Sequence, residues 1–178
     1  MNSRAILRYS FLAATFALGI LVGCAPPPPP PVTAKPVELK EVTIAELETE
    51  IASYKGKVVL IDVWFLGCRP CKEKMPQFVE LHRELGPEGL VCMTLDVYEE
   101  ELKSKDKVLD FLKQKGADTL NFIVRDEVAK RDVWQRKYDA DATPAYVAFD
   151  RSGKNVRPPE PSDKASMTRF LKKLLDEK

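Results

Sequence analysis

The chain has 178 residues, 44% of them hydrophobic, with 28 basic and 27 acidic side chains and a formal charge of +1. That length holds one globular domain. The charge balance gives no electrostatic case for nucleic acid, and four cysteines are too few for a disulfide scaffold in a chain of this size.

Residues 1–23 read as a signal peptide. Arg4 and Arg8 make a basic start, no acid occurs through Gly23, and Tyr9 to Val22 is a 14-residue apolar run, shorter than the roughly 20 residues of a membrane span. The run closes on Leu21-Val22-Gly23-Cys24, which resembles the bacterial lipobox; the resemblance implies that Cys24 is lipidated and becomes the first residue of the mature chain. The other reading is an uncleaved anchor with an incidental cysteine. Both place the domain outside the cytoplasm and tethered to a membrane. Losing residues 1–23 removes two basic side chains and no acid, leaving a charge near −1. Residues 24–41 then form a linker, with six consecutive prolines from Pro26 to Pro31 and another at Pro36. Such a run favours a stiff polyproline spacer of about 3.1 Å per residue; a ligand for a proline-recognition module is its competitor.

The folded domain is expected from residue 42. Thr43 and Glu46 have capping-box spacing ahead of a helix with Ile44, Leu47 and Ile51 on its apolar face, ended by Gly56. Residues 58–65 form a strand that is apolar on both parities, broken only by Asp62. A helix starts at Cys68-Arg69-Pro70-Cys71 and runs to about Leu85, with a kink expected at Pro76 and Gly86-Pro87 as its stop. Leu90 to Val97 reads as a second buried strand, in which Cys92 is a small hydrophobe rather than a third redox cysteine. Lys105 to Lys115 is an amphipathic helix carrying Val108, Leu109, Phe111 and Leu112, and Leu120 to Val124 is a short strand. Asp126 to Tyr138 is a further helix. After Pro144, Ala145 to Phe149 is a strand turned into a hairpin by Asp150-Arg151-Ser152-Gly153, and Ser162 caps a last helix with Met167, Phe170, Leu171, Leu174 and Leu175 on one face. Trp64, Phe122 and Trp134 are expected in the core. This order predicts an α/β sandwich, a mixed central β-sheet flanked by helices.

A strand that ends in C-x-x-C and turns directly into a helix is the context in which this spacing means redox chemistry. Cys68 falls at the helix N-cap, where free N–H groups and the helix dipole favour a thiolate, so it is the attacking sulfur. Cys71, one turn on and more buried, resolves the mixed disulfide. Pro70 suits the first turn. Arg69 places a positive charge beside Cys68 and should make the potential less negative than that of a Gly-Pro loop, unless water screens it. Asp62 should have its pKa raised by desolvation and pass a proton to or from Cys71; reaching Lys57 or water is its structural alternative. Pro144 cannot donate to a central ladder.

On these residues the chain resembles the thioredoxin fold, and most of all the membrane-tethered, extracytoplasmic branch named for TlpA and ResA within the redoxin superfamily. VVLIDVWFLGCRPCKEKMP at 58–76 is similar to that branch's strand, active site and kinked helix, and ATPAYVAFDRSGK at 142–154 to its cis-proline segment and hairpin. The resemblance covers about residues 42–178 and implies an N-terminal helical extension and an insertion around 100–122. It makes Cys68 and Cys71 the redox-active disulfide, with no other cofactor and no metal, and Asp62 the buried acid. Pro144 would be the cis-proline against the disulfide and Thr143 the residue whose backbone pairs with substrate, with Gly67, Arg69 and Pro70 completing the substrate contacts. Members usually carry tryptophan before the first cysteine, where this chain has Gly67, and often an acid where it has Lys74; the first change opens one wall, the second shifts proton handling to Asp62. The implied activity is disulfide exchange with exported proteins, as a reductant, for example of cytochrome c precursors, recharged by a membrane electron donor of thiol–disulfide type.

Two rival functions use the same motif. A Cu(I)-binding metallochaperone needs only the two sulfurs. A structural zinc site wants four ligands, and His82 lies about 16 Å along the helix from Cys71. A non-catalytic tethered scaffold would hold a permanent disulfide. Peroxidase activity lacks a separate peroxidatic cysteine.

Overall fold

The computed structural model describes residues 35–159 and 163–177. The signal peptide, the lipidation candidate Cys24, the proline run and the expected cap Ser162 lie outside the described residues. Among the described residues six strands form one sheet in the order β1-β4-β3-β2-β5-β6: β1 Lys40–Val42, β2 Val58–Trp64, β3 Leu90–Asp96, β4 Leu120–Val124, β5 Ala145–Phe149 and β6 Asn155–Val156. The pairs β1–β4, β3–β4 and β2–β3 are parallel, whereas β2–β5 and β5–β6 are antiparallel. This is the mixed sheet of the thioredoxin fold. Its helices are α1 Ile44–Ser53, α2 Arg69–Leu85, α3 Lys105–Lys115, α4 Val128–Lys137 and α5 Lys164–Asp176.

The central strand explains the layering. Every residue of β2 is buried, so its alternate side chains feed two cores. Val58, Leu60 and Trp64 pack with Met75 and Phe78 of α2, Val108 and Leu112 of α3, and Met167 and Leu171 of α5. Val59, Ile61 and Val63 face the opposite side, with Leu47 and Ile51 of α1 and Trp134 of α4. Trp64, Phe122 and Trp134 are core side chains.

Local chemistry sets the helix ends. The Thr43–Glu46 capping box forms, with Thr43 N–H donating to Glu46 Oε2 at 2.7 Å and Glu46 N–H to Thr43 Oγ1 at 3.2 Å. Helix α2 runs on through Pro76. Gly116 ends α3 in the left-handed conformation, φ 61°, which favours glycine. Three boundaries differ from the expectation. Lys40 and Glu41 already belong to the sheet, as part of edge strand β1. Asp126 lies outside α4 and accepts the Ile44 N–H at 2.5 Å, so it serves the start of α1. Asp163 is the N-cap of α5, accepting from Ala165 N–H at 2.9 Å.

Candidate active site

Strand β2 delivers the chain to Phe65-Leu66-Gly67, where a turn closed by Cys68 N–H to the Phe65 carbonyl, 3.0 Å, starts α2. Cys68 is the N-cap in extended conformation, and its Sγ accepts the Cys71 N–H at 3.2 Å. An N–H aimed at sulfur, at the positive end of a 17-residue helix, favours a thiolate there when the pair is reduced. Cys68 and Cys71 are joined as a disulfide with Cα atoms 5.3 Å apart. Cys68 keeps 6% of its surface exposed and Cys71 none, so an incoming sulfur meets only Cys68, along a narrow edge. Pro70 sits in the first turn.

Asp62, in β2 with the same parity as Leu60 and Trp64, is 1% exposed. Burial pushes its carboxyl up to about 8, with the nearby Lys74 ammonium pulling the other way. Its Oδ2 has no hydrogen-bond partner among the described residues, so the alternative reading, a link to Lys57, is not seen there. Asp62 pairs across the sheet with Thr94 of β3 and Tyr146 of β5. Cys92 is buried and unbonded; burial first, and then the Asp62 charge, push its thiol far up.

Arg69 stands in the solvated arrangement that the sequence reading offers as its alternative. Its Nε donates to Glu73 Oε1 at 2.9 Å, and the two side chains are 87% and 62% exposed. The guanidinium is thus paired and solvated. The Thr143–Pro144 peptide is cis and leads into β5, whose first residue pairs with Val63 near the end of β2. Thr143, Phe65, Tyr98 and Asp141 line a groove of about 340 Å³ that also touches Glu99 and Arg131. Gly67 is exposed. A Cβ there would lie 2.9 Å from Phe65 Cε2, so the Phe65 ring already fills the space beside it, stacked on Tyr98 with centroids 5.0 Å apart.

Sequence reasoning missed Glu101. From the 3-10 segment Glu99–Ser104, its carboxylate accepts Leu66 N–H at 2.7 Å and Gly67 N–H at 3.1 Å. Asp96, fully buried at the end of β3, is raised above the usual carboxylate range by burial first and then by the neighbouring Glu101 carboxyl. The only sequence signal was an acid ending a buried strand five residues before another acid.

Comparison with known proteins agrees with this geometry. A family profile described as Redoxin matches residues 31–167. The thiol-disulfide oxidoreductase ResA of Bacillus thuringiensis subsp. konkukian is 27% identical over 126 residues, covering 70% of this chain and 68% of its own length. ResA of Bacillus subtilis is 29% identical over 109 residues, 61% of this chain and 55% of that protein. Among solved structures, a thiol:disulfide interchange protein of the thioredoxin family from Chlorobium tepidum superposes with TM-score 0.54 at 21% identity, covering 70% of this chain and 83% of that one. The exposed lipoprotein thioredoxin Etrx1 of Streptococcus pneumoniae gives 0.55 at 22%, covering 69% and 89%.

Proposed function

Since this chain belongs to the Redoxin family, and is a thiol–disulfide oxidoreductase of the ResA type, we propose that it works as a reductant of exported proteins, held to a membrane by lipid on Cys24. The observation that carries the reading is the asymmetry of the pair: Cys68 has an exposed edge and an N–H on its sulfur, while Cys71 has no exposed surface.

In the reduced protein the Cys68 thiolate attacks a substrate disulfide. A mixed disulfide forms and one substrate thiolate leaves, taking a proton from solvent. Asp62 takes the proton of the Cys71 thiol, and the Cys71 thiolate attacks Cys68 Sγ. That closes the Cys68–Cys71 bond and frees the second substrate thiolate. Two electrons have passed to the substrate, and a membrane donor dithiol returns them by the same steps reversed. On the family resemblance, the extended chain of a substrate, such as an apocytochrome with paired cysteines, lies along the Thr143–Pro144 segment as it reaches Cys68. Etrx1 is described as an exposed lipoprotein, which favours the same address for this chain, and among the described residues no helix is long and apolar enough to cross a membrane.

Equilibration of the full-length protein with glutathione tests the direction. A potential between about −270 and −200 mV is expected for a reductant. A value near about −120 mV would make it an oxidant, and one below about −300 mV a structural bridge; either overturns the reading. Palmitate labelling that survives Cys24→Ser would overturn the anchor.

A further inference from the structure

Three consecutive N–H groups lead into the redox helix. The last, on Cys68, is satisfied by the Phe65 carbonyl. The two before it, on Leu66 and Gly67, share one side chain that comes from about 35 residues away, the carboxylate of Glu101. A carboxylate that takes two successive backbone N–H groups holds both in place at once, through charge-assisted bonds roughly twice as strong as neutral ones.

Glu101 is 8% exposed and does not stand alone. Asp96 Oδ1 accepts Tyr98 N–H at 2.9 Å, which fixes the turn out of β3, and its Oδ2 is buried with no hydrogen-bond partner among the described residues. Burial first, and then the neighbouring Glu101 carboxyl, raise the Asp96 carboxyl above the usual range, so Asp96 keeps its proton at neutral pH. From α4, Arg131 faces the pair, but its guanidinium donates to the Val97 carbonyl and to Glu99. Tyr98, Glu99, Glu100, Asp132 and Asp141 are the other titratable groups around the adjoining groove, and Cys68 and Arg69 are those on the redox loop. The Tyr98 ring, stacked on Phe65, ties the same two segments together a second time.

We propose that Glu101 is a positioning residue of the redox site: it clamps the Leu66–Gly67 backbone that delivers Cys68 to the N-cap of α2, and its negative charge restrains ionisation of Cys68. The helix start favours an anion on sulfur, and Glu101 sets a competing anion against the same run of N–H groups. The reduced form is thereby made less stable, which keeps the couple a stronger reductant. This inference rests on exchange through the Cys68–Cys71 pair. A wild-type protein whose disulfide failed to equilibrate with glutathione would refute that underlying reading, whereas the clamp is judged by differences between variants.

The experiment uses the full-length protein as wild type, Glu101→Gln, Glu101→Ala and Asp96→Asn. It reads the pH profile of Cys68 alkylation in the reduced form, the glutathione equilibrium, and amide hydrogen exchange at Leu66 and Gly67. Glu101→Gln keeps an acceptor oxygen and deletes the charge. At about pH 7 Cys68 alkylation should rise about tenfold, and the equilibrium should move about tenfold toward the reduced form, the equivalent of one pKa unit. In Glu101→Ala the Leu66 and Gly67 amides should exchange at least about tenfold faster while those of β2 stay protected. Deprotonation of Asp96 at alkaline pH sets a second negative charge near Glu101, so the Leu66 and Gly67 amides should open further there in wild type than in Asp96→Asn, which has no proton to lose. Unchanged alkylation and equilibrium in Glu101→Gln would overturn the proposal, as would undisturbed Leu66 and Gly67 amides in a folded Glu101→Ala. Should Glu101→Ala fail to fold, the Gln and Asn variants decide it alone.

Discussion

Asp62 and Tyr146 stand directly opposite each other across β2 and β5, and the carboxyl Oδ2 and the phenol oxygen are both buried without a hydrogen-bond partner among the described residues. Opposed residues in an antiparallel pair have Cβ atoms about 5 Å apart. An aromatic neighbour that gives the carboxylate no hydrogen bond leaves it to be desolvated, which is why its pKa rises to about 8.

That rise makes stability depend on pH in a fixed direction. An unfolded aspartate loses its proton near about pH 3.9, while the folded Asp62 keeps it up to about 8. Between these values the native state holds more protons, so stability is full below about pH 4, falls as pH rises through the folded pKa, and then levels. Asp62→Asn has no proton to lose. Its Tm should match wild type near about pH 4 and exceed it by a growing margin up to about pH 8, for a stabilisation on the order of several kcal/mol. Melting curves at four or five pH values check this. A Tm difference that does not vary with pH would mean that the carboxyl is satisfied in solution.

The same substitution should slow exchange. If Asp62 receives the Cys71 proton, Asp62→Asn should cut the rate of closing the mixed disulfide by about a hundredfold, the usual scale of general base catalysis. The limb of the pH profile near 8 should disappear with it. Stopped-flow tryptophan fluorescence with a peptide disulfide measures that step, and an unaltered profile would remove Asp62 from the mechanism.

Arg69 bears less on the potential than its place beside Cys68 suggests, because Glu73 holds it in an exposed pair. Exposed ion pairs are worth at most about 1 kcal/mol. Arg69→Gly should therefore move the glutathione equilibrium by no more than about threefold, toward the oxidised form. Glu73→Gln, which frees the guanidinium, should move it the other way at low salt and lose that effect at about 1 M salt. A tenfold effect from Arg69→Gly would show that the pair with Glu73 does not persist in solution.

Cys92 should be silent. It lies in β3 beside Leu60, buried, with its thiol far from ionising at neutral pH. In the reduced native protein Cys68 should alkylate first, and Cys92 only at the rate of global unfolding. Cys92→Ala should cost about 1–2 kcal/mol for the small cavity it leaves and leave the potential of the Cys68–Cys71 couple unaltered. Rapid native labelling of Cys92, found by peptide mapping, would contradict this.

Much of the fold was legible because particular residues carry unambiguous signals. The apolar run of β2 on both parities announces a central strand, the Thr43–Glu46 spacing starts α1, and the five apolar side chains of α5 repeat at helical intervals. β1 was not legible: it has three residues, and only Val42 of them is buried, so Lys40 and Glu41 look like linker. An edge strand is recognised by its backbone pairing, which leaves no mark on composition. Of the candidate site, the cysteines, Asp62 and Pro144 could be named because each breaks a local pattern. Glu101 breaks none. It follows two other glutamates, and what distinguishes it is a pair of backbone N–H groups contributed by a distant loop.

Gly67 is where this chain departs most from the resemblance, and the geometry gives the departure a physical cost that can be measured. Gly67 does not lie in the left-handed region, so its backbone would accept a side chain; the obstacle is Phe65, whose Cε2 and Cδ2 lie 2.9 and 3.2 Å from a Cβ at position 67. Gly67→Ala must push the Phe65 ring off Tyr98, which should cost about 1–3 kcal/mol. Phe65→Ala alone loses the stack, worth about 0.5–1.5 kcal/mol beyond its buried area. In the double variant the methyl group enters space already vacated, so its destabilisation should fall short of the sum of the two by about 1 kcal/mol or more. Urea unfolding of the four proteins gives the coupling directly. Additivity within about 0.5 kcal/mol would show that Phe65 moves aside freely and that the loop tolerates a side chain before Cys68 without strain.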